Sequence, residues 1–291
     1  MKRELLPKFF LANDATTKDE FLKNMGLIEG VYRGYGVKIN LDLIMKEKDL
    51  PGYVKKHFHV PVFADLKMWN GKRTMKEIVT MLGDQGVAMI NVWAVADNMI
   101  DAVVEEAKKY GIVVLGVTVL THYTEDYCLK VYKRTMGEAV ALFAQMSLDH
   151  GCDGYILPGT CLENAADLGG IKFNPATRPV WFVDKKANFQ EQIMEPGEAL
   201  RRGADIVSCG TPVFGSPDPK EALLKIIQEV DSATPLPKIE KAGGSFARKR
   251  VEAFLDDREA GERIISDIGR VHNGEREDRE FMERFLSGMN P

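Results

Sequence analysis

Three times in this chain an amphipathic helical stretch stops on a glycine and an apolar run begins at the next residue. The junctions are G-V-A-M-I-N-V from Gly86, G-I-V-V-L-G-V from Gly111 and G-A-D-I-V-S from Gly203. Glycine is the usual left-handed stop after a helix, so each junction reads as helix, stop, strand. The alternation extends almost from end to end. Strands are expected at Phe9–Ala12, Gly36–Ile39, Val60–Ala64, Val87–Val92, Ile112–Val119, Gly154–Leu157, Val180–Val183 and Asp205–Ser208. Helical patterns such as "TKDEFLKNMG", "TMKEIVTMLGDQG", "DNMIDAVVEEAKKYG", "GEAVALFAQMSLDHG", "PGEALRRG" and "DPKEALLKIIQEV" lie between them.

Eight strands with crossover helices in about 225 residues have the size and rhythm of an α/β chain closed as a (β/α)8 TIM barrel. A doubly wound open sheet is the alternative. The lack of a glycine-rich G-x-G-x-x-G turn after the first strand argues against it. After Ser232 the character changes. "SATPLPK" reads as a linker, and residues 239–291 are charge-rich with scattered apolar positions at helical spacing. The expected division is therefore a barrel over 1–232 and a linker with a charged, mostly helical extension over 233–291.

A net charge of −4 spread over mixed signs gives no global attraction to nucleic acid. The first apolar run is broken by Pro7 and Lys8 and ends at Asp14, too short for a signal peptide or a membrane span. Cys128, Cys152, Cys161 and Cys209 show no C-x-x-C spacing, which fits free thiols in a reducing cytoplasm.

In such a barrel the active site lies at the carboxyl ends of the strands. Polar residues there include Asp14, Lys38, Asp65, Lys67, Asn91, Thr121, His122, Arg178, Gly210 and Thr211. Lys38 and Lys67 carry the most information. Lys38 interrupts the apolar second strand, and burying an ammonium is costly without a carboxylate beside it. Asp65, on the third strand, is the expected partner. Lys67 stands two residues further on, on the same strand face. An alternating Lys–Asp–Lys set perturbs the pKa of each member and marks a candidate site.

With these residues in view, the chain resembles the orotidine 5′-monophosphate decarboxylase superfamily. "FADLKMWN" resembles its D-x-K-x-x-D signature, and "LANDATT", "GVKIN", "GVAMINVWA", "GVTVLTHYTEDY" and "ATRPVWF" resemble the flanking strand motifs in the family's order. "NFQEQIMEPGEALRRGADIVSCGTPVFGSPDP" resembles the run to the phosphate site. The resemblance covers roughly residues 8–232. It implies cofactor-free, metal-free decarboxylation of orotidine monophosphate to uridine monophosphate in pyrimidine biosynthesis. It also implies a cytoplasmic homodimer whose ligand is a small nucleotide, with no nucleic-acid or membrane partner. The implied catalytic set is Lys67, Asp65, Asn70 and Lys38. Asp14, Thr74, Thr121, Arg178, Gln190, Gly210 and Thr211 are the implied substrate contacts. Lys38 would hold ribose hydroxyls together with Asp14, where sugar-phosphate branches carry a magnesium-binding glutamate.

The pattern departs from the family at three places. Asn70 stands where the second aspartate, contributed across the dimer, would be, so Lys67 has one carboxylate neighbour fewer. Thr211 replaces the phosphate-gripping arginine and cannot form a bidentate pair. "GKRT", residues 71–74, replaces "I-P-N-T" and adds Lys72 and Arg73. These departures leave two alternatives open: a related lyase or isomerase acting on another phosphorylated sugar or nucleotide, and a non-catalytic nucleotide-binding paralogue.

Overall fold

The computed structural model describes residues 6–31, 33–182 and 194–233. Gln190, and the linker and helical extension expected after Ser232 (Ala233 excepted), lie outside the described residues. Eight strands run in chain order: β1 (Phe9–Asn13), β2 (Gly36–Asn40), β3 (Val62–Met68), β4 (Met89–Trp93), β5 (Val113–Val117), β6 (Gly154–Ile156), β7 (Ile171–Asn174) and β8 (Ile206–Cys209). Each pairs in parallel with the next, and β8 returns to β1 with Phe9 opposite Val207, which closes the barrel.

The helices are α1 (Lys18–Leu27), α2 (Leu41–Lys46), α3 (Leu50–Phe58), α4 (Lys72–Asp84), α5 (Ile100–Tyr110), α6 (Glu125–Tyr132), α7 (Met136–Asp149), α8 (Pro196–Arg201), α9 (Thr211–Phe214) and α10 (Pro219–Ser232). The junction glycines behave as the sequence implies. Gly86, Gly111 and Gly203 have φ of 70°, 66° and 100°, a region that a side chain rarely tolerates. At Gly111 the amide N–H returns to the carbonyls of Ala107 and Lys108 and closes α5.

The seventh strand is the one that the sequence reading misplaced. It is "IKFN"; of the more apolar Val180–Val183, residues 180–182 form no strand and Val183 lies outside the described residues. Val180 is 74% exposed and Trp181 42%, and both stand in the segment that leaves β7. Lys172 and Asn174 made the true strand look polar. In the structure the Lys172 ammonium donates to the Leu168 carbonyl, and the Asn174 amide donates to the carbonyls of Leu157 and Pro175.

Two apolar layers result. One lies between sheet and helices. The other fills the barrel and includes Phe10, Phe63 and Phe173, whose ring centroids stand 5.3–6.1 Å apart. These three rings are nearly inaccessible to solvent. Each stabilises the fold by about 1.5–3 kcal/mol through burial, with edge contacts adding about 1 kcal/mol. Phe63 and Phe173 also form part of the floor of the pocket above them. All four cysteines are free and buried. Among the described residues no helix is long and apolar enough to cross a membrane.

Candidate active site

The third strand carries the centre of the site, and it is not a regular strand. Its pairing with β4 shifts between Ala64 and Met68, and Lys67 has a φ of 47°. A lysine in the left-handed region is strained on the order of 1 kcal/mol or more, so something must hold it there. That group is Asn91, on β4 and fully buried. Its Oδ1 accepts from the backbone N–H of Leu66 at 2.9 Å and of Lys67 at 2.7 Å, and its Nδ2 donates to Asp65 Oδ1 at 2.7 Å. One amide thereby fixes the bulge and the carboxylate together. Asp65 and Lys67 both line the pocket, and the Lys67 ammonium meets Asp65 Oδ1 at 2.6 Å.

On the neighbouring strand, Lys38 sits between two carboxylates. Its Nζ lies 3.2 Å from Asp65 Oδ2 and 3.0 Å from Asp14 Oδ1, and it also donates to Asn40 Oδ1. Burial pulls the Lys38 ammonium down, but Asp65 and then Asp14 more than offset it and hold its pKa above the ordinary lysine value. Burial likewise raises Asp65. Lys38, then Lys67, with hydrogen bonds from Lys67 and Asn91, outweigh burial and lower its pKa from 3.8 to about 2. Asp65 is therefore a carboxylate at any physiological pH.

This shift has a measurable consequence. The folded pKa of Asp65 lies below its unfolded value, so the stability it contributes is fully present above about pH 4 and is lost as pH falls towards 2. The amount is on the order of 2 kcal/mol. Urea unfolding measured at steps from about pH 5 to pH 2 should show this loss in the wild type and a shallower acid slope in Asp65→Asn. Equal slopes would assign the acid sensitivity to other groups.

The charged cluster opens into a pocket of about 340 Å³. Of the residues singled out in the sequence, Asp14, Lys38, Asp65, Lys67, Thr121, Arg178, Gly210 and Thr211 all line it. Arg178 reaches it from the segment after β7. Thr177, whose N–H and hydroxyl both donate to the Ser208 carbonyl, ties that segment to β8. Gly210 has to be glycine: a Cβ there would stand 2.0 Å from the Ala12 carbonyl oxygen.

Asn70 and Thr74 do not line this pocket. The exposed Asn70 side chain accepts from the N–H of Gly71 at 2.7 Å, and Gly71, not Thr74, is the N-cap of α4. Thr74 is thus the third residue of the helix instead of its first. Lys72 and Arg73 are exposed in that first turn and do not line the pocket either. Sequence reasoning named Asn91 among the polar strand ends without giving it a role, and it passed over Asn40. A usable signal existed for each. Asn40 is two residues beyond Lys38 on the same strand face, and Asn91 interrupts the apolar run "MINVW". His122 also lines the pocket, next to Thr121.

Known proteins share this architecture. Residues 7–226 match the model of the family described as "Orotidine 5'-phosphate decarboxylase / HUMPS family". Orotidine 5′-phosphate decarboxylase of Nautilia profundicola is 28% identical over 217 residues, covering 72% of this chain and 89% of that protein. The enzyme of the same name from Rhodopseudomonas palustris is 34% identical over 180 residues, covering 60% and 74%. The crystal structure of orotidine 5′-phosphate decarboxylase from Lactobacillus acidophilus shares the fold, with a TM-score of 0.66 over 78% of this chain and 100% of that one at 22% identity. Since the family match starts before β1 and runs through all eight strands into α10, the chain belongs to the orotidine 5′-phosphate decarboxylase / HUMPS family.

Proposed function

We propose that this chain is a carboxy-lyase that converts orotidine 5′-monophosphate to uridine 5′-monophosphate without a cofactor, a step of pyrimidine biosynthesis. The observation that carries the reading is the row Lys38–Asp65–Lys67, in which one carboxylate is held ionised between two ammonium groups at the mouth of the barrel. A substrate carboxylate set against Asp65 meets a charge that cannot be neutralised by protonation, and losing CO2 relieves that repulsion. The carbon–carbon bond breaks with its electron pair left on the ring carbon. Lys67 stabilises that pair and then supplies the proton that becomes the new C–H bond. The Lys67 side chain is 38% exposed, which suits its reprotonation from solvent.

At the far side of the pocket, Arg178 and the Thr211 hydroxyl serve the phosphate, with Gly210 leaving room for it. Binding energy gained there is used at the ring. Thr121 and Asp14 orient the nucleoside. Thr211 supplies one hydrogen bond where a guanidinium would supply two, so weaker phosphate binding is expected.

Asn70 belongs to a homodimer in this reading. Leu41, Met45 and Trp69 are 42%, 65% and 63% exposed on the segments that leave β2 and β3, beside the pocket. Covering them with a second copy brings Asn70 towards the partner's site. Sedimentation equilibrium should give twice the 32.6 kDa of one chain, and Trp69→Asp should shift the mass to that of a monomer. A wild-type protein that is monomeric at micromolar concentration would sink the dimer. The cytoplasm, where such a nucleotide is made and used, is the expected location.

The deciding experiment is a turnover assay in metal-chelated buffer, following uridine monophosphate formation from orotidine monophosphate. Product formation supports the reading. A folded protein that binds uridine monophosphate without turnover would favour the paralogue that only binds nucleotides. Failure to bind it at all would point to another phosphorylated substrate, a reading that Thr211 and Asn70 together favour.

A further inference from the structure

Two unfavourable features stand side by side just before Arg178. The first is at the end of β7. Asn174 is 1% exposed, and its Nδ2 donates to the Leu157 carbonyl just past β6 at 3.2 Å and to the Pro175 carbonyl at 3.3 Å. Turning the amide over would set its oxygen against both carbonyls, so this orientation is fixed. The buried Oδ1 at the other end has no hydrogen-bond partner among the described residues. An apolar side chain would avoid that unpaired acceptor, so the two donor bonds are what an amide contributes here. The second feature is Ala176, which lines the pocket with a φ of 62°, a conformation strained for any residue with a Cβ.

Strain of this kind persists only where the surroundings over-determine it, and it gathers at ligand clamps. The segment is indeed held on both sides. Asn174 ties its start to the end of β6, and Thr177 ties it to β8 through the Ser208 carbonyl. We propose that Asn174 is a positioning residue for Arg178. By fixing the Pro175 carbonyl against the end of β6, it holds Ala176 in the left-handed turn that delivers Arg178 to the pocket. Asn174 is not among the residues that line the pocket, so it acts through that turn alone. The inference rests on the phosphate role of Arg178 in the nucleotide reading above and adds what holds the arginine there.

The test is calorimetric titration of the full chain with uridine monophosphate and with uridine, which lacks the phosphate. The wild type should prefer the nucleotide by at least about a hundredfold, the scale of two hydrogen bonds to a charged group. Asn174→Ala should cut that ratio about tenfold, the loss of one such bond, with uridine binding nearly unchanged. Its melting temperature should stay within a few degrees of the wild type, because the unpaired oxygen leaves with the amide. Adding Ala176→Gly to Asn174→Ala should bring the ratio back to within about threefold of the wild type, since glycine takes the left-handed conformation unaided. Should the alanine variant fail to fold, Asn174→Ser keeps a single donor and should still lower the ratio. A folded variant that keeps the wild-type ratio, or that weakens both ligands equally, would overturn the assignment of Asn174 and leave the nucleotide reading standing. So would a double variant no better than Asn174→Ala. A wild type that binds neither ligand would overturn both.

Discussion

Lys67→Ala is expected to lower the turnover of orotidine monophosphate at least about a thousandfold. Losing the proton donor accounts for about two to four orders of magnitude, and losing a positive charge at the developing carbanion adds to it. Among the described residues no other cation lining the pocket is placed to replace it: Lys38 is committed to Asp14, Asp65 and Asn40, and Arg178 enters from the segment after β7. Asp65 keeps Lys38 and Asn91 as partners in the variant. The fold should therefore survive, with a melting temperature within a few degrees of the wild type. Lys67→Arg separates charge from proton. Guanidinium keeps the positive charge but does not give up its proton in proteins, so this variant should be nearly as slow as alanine. Steady-state kinetics on both variants settles the assignment. Turnover within tenfold of the wild type in Lys67→Ala would give the proton to another group, and a fast arginine variant would reduce the role of Lys67 to electrostatics.

The sequence made Lys38, Asp65 and Lys67 visible because charges inside apolar strands are costly and so carry information. Asn91 and Asn40 carry no charge, and a buried amide looks the same in sequence whether it satisfies a loop or organises a site. Their importance depends on which backbone groups they meet, and that was set by the β3–β4 register shift. The shift itself left no trace, since "VFADLKM" has the same inward and outward alternation with or without a bulge. The barrel was legible because helix, glycine and apolar run recur in phase. The seventh strand failed for a physical reason. Apolarity is not burial here: "PVWF" presents Val180 and Trp181 to the surface, while the Lys172 ammonium and the Asn174 amide nitrogen find carbonyl acceptors within the strand's own surroundings. Such exposed apolar residues beside a pocket are more informative about partners and ligands than about the core.

Asn91→Leu tests the organising role of that amide directly. The replacement has similar volume but leaves the N–H groups of Leu66 and Lys67 without their acceptor and removes a donor from Asp65. A buried N–H without a partner costs about 1–3 kcal/mol. Two of them, with the weakened carboxylate, should destabilise the protein by about 3–5 kcal/mol and lower its melting temperature by on the order of 10 °C. Activity should fall further than stability. Lys67 stays in its left-handed conformation only while both N–H groups are held, and a relaxed bulge would move its ammonium away from Asp65. Assayed at a temperature where the variant is still folded, turnover should drop at least about a hundredfold, as misplacement by about 1 Å commonly produces. KM should move much less, because Arg178 and Thr211 lie outside the bulge. If the variant melts within about 2 °C of the wild type and keeps its turnover, the bulge is held by its own chain, and Asn91 merely fills the space beside it.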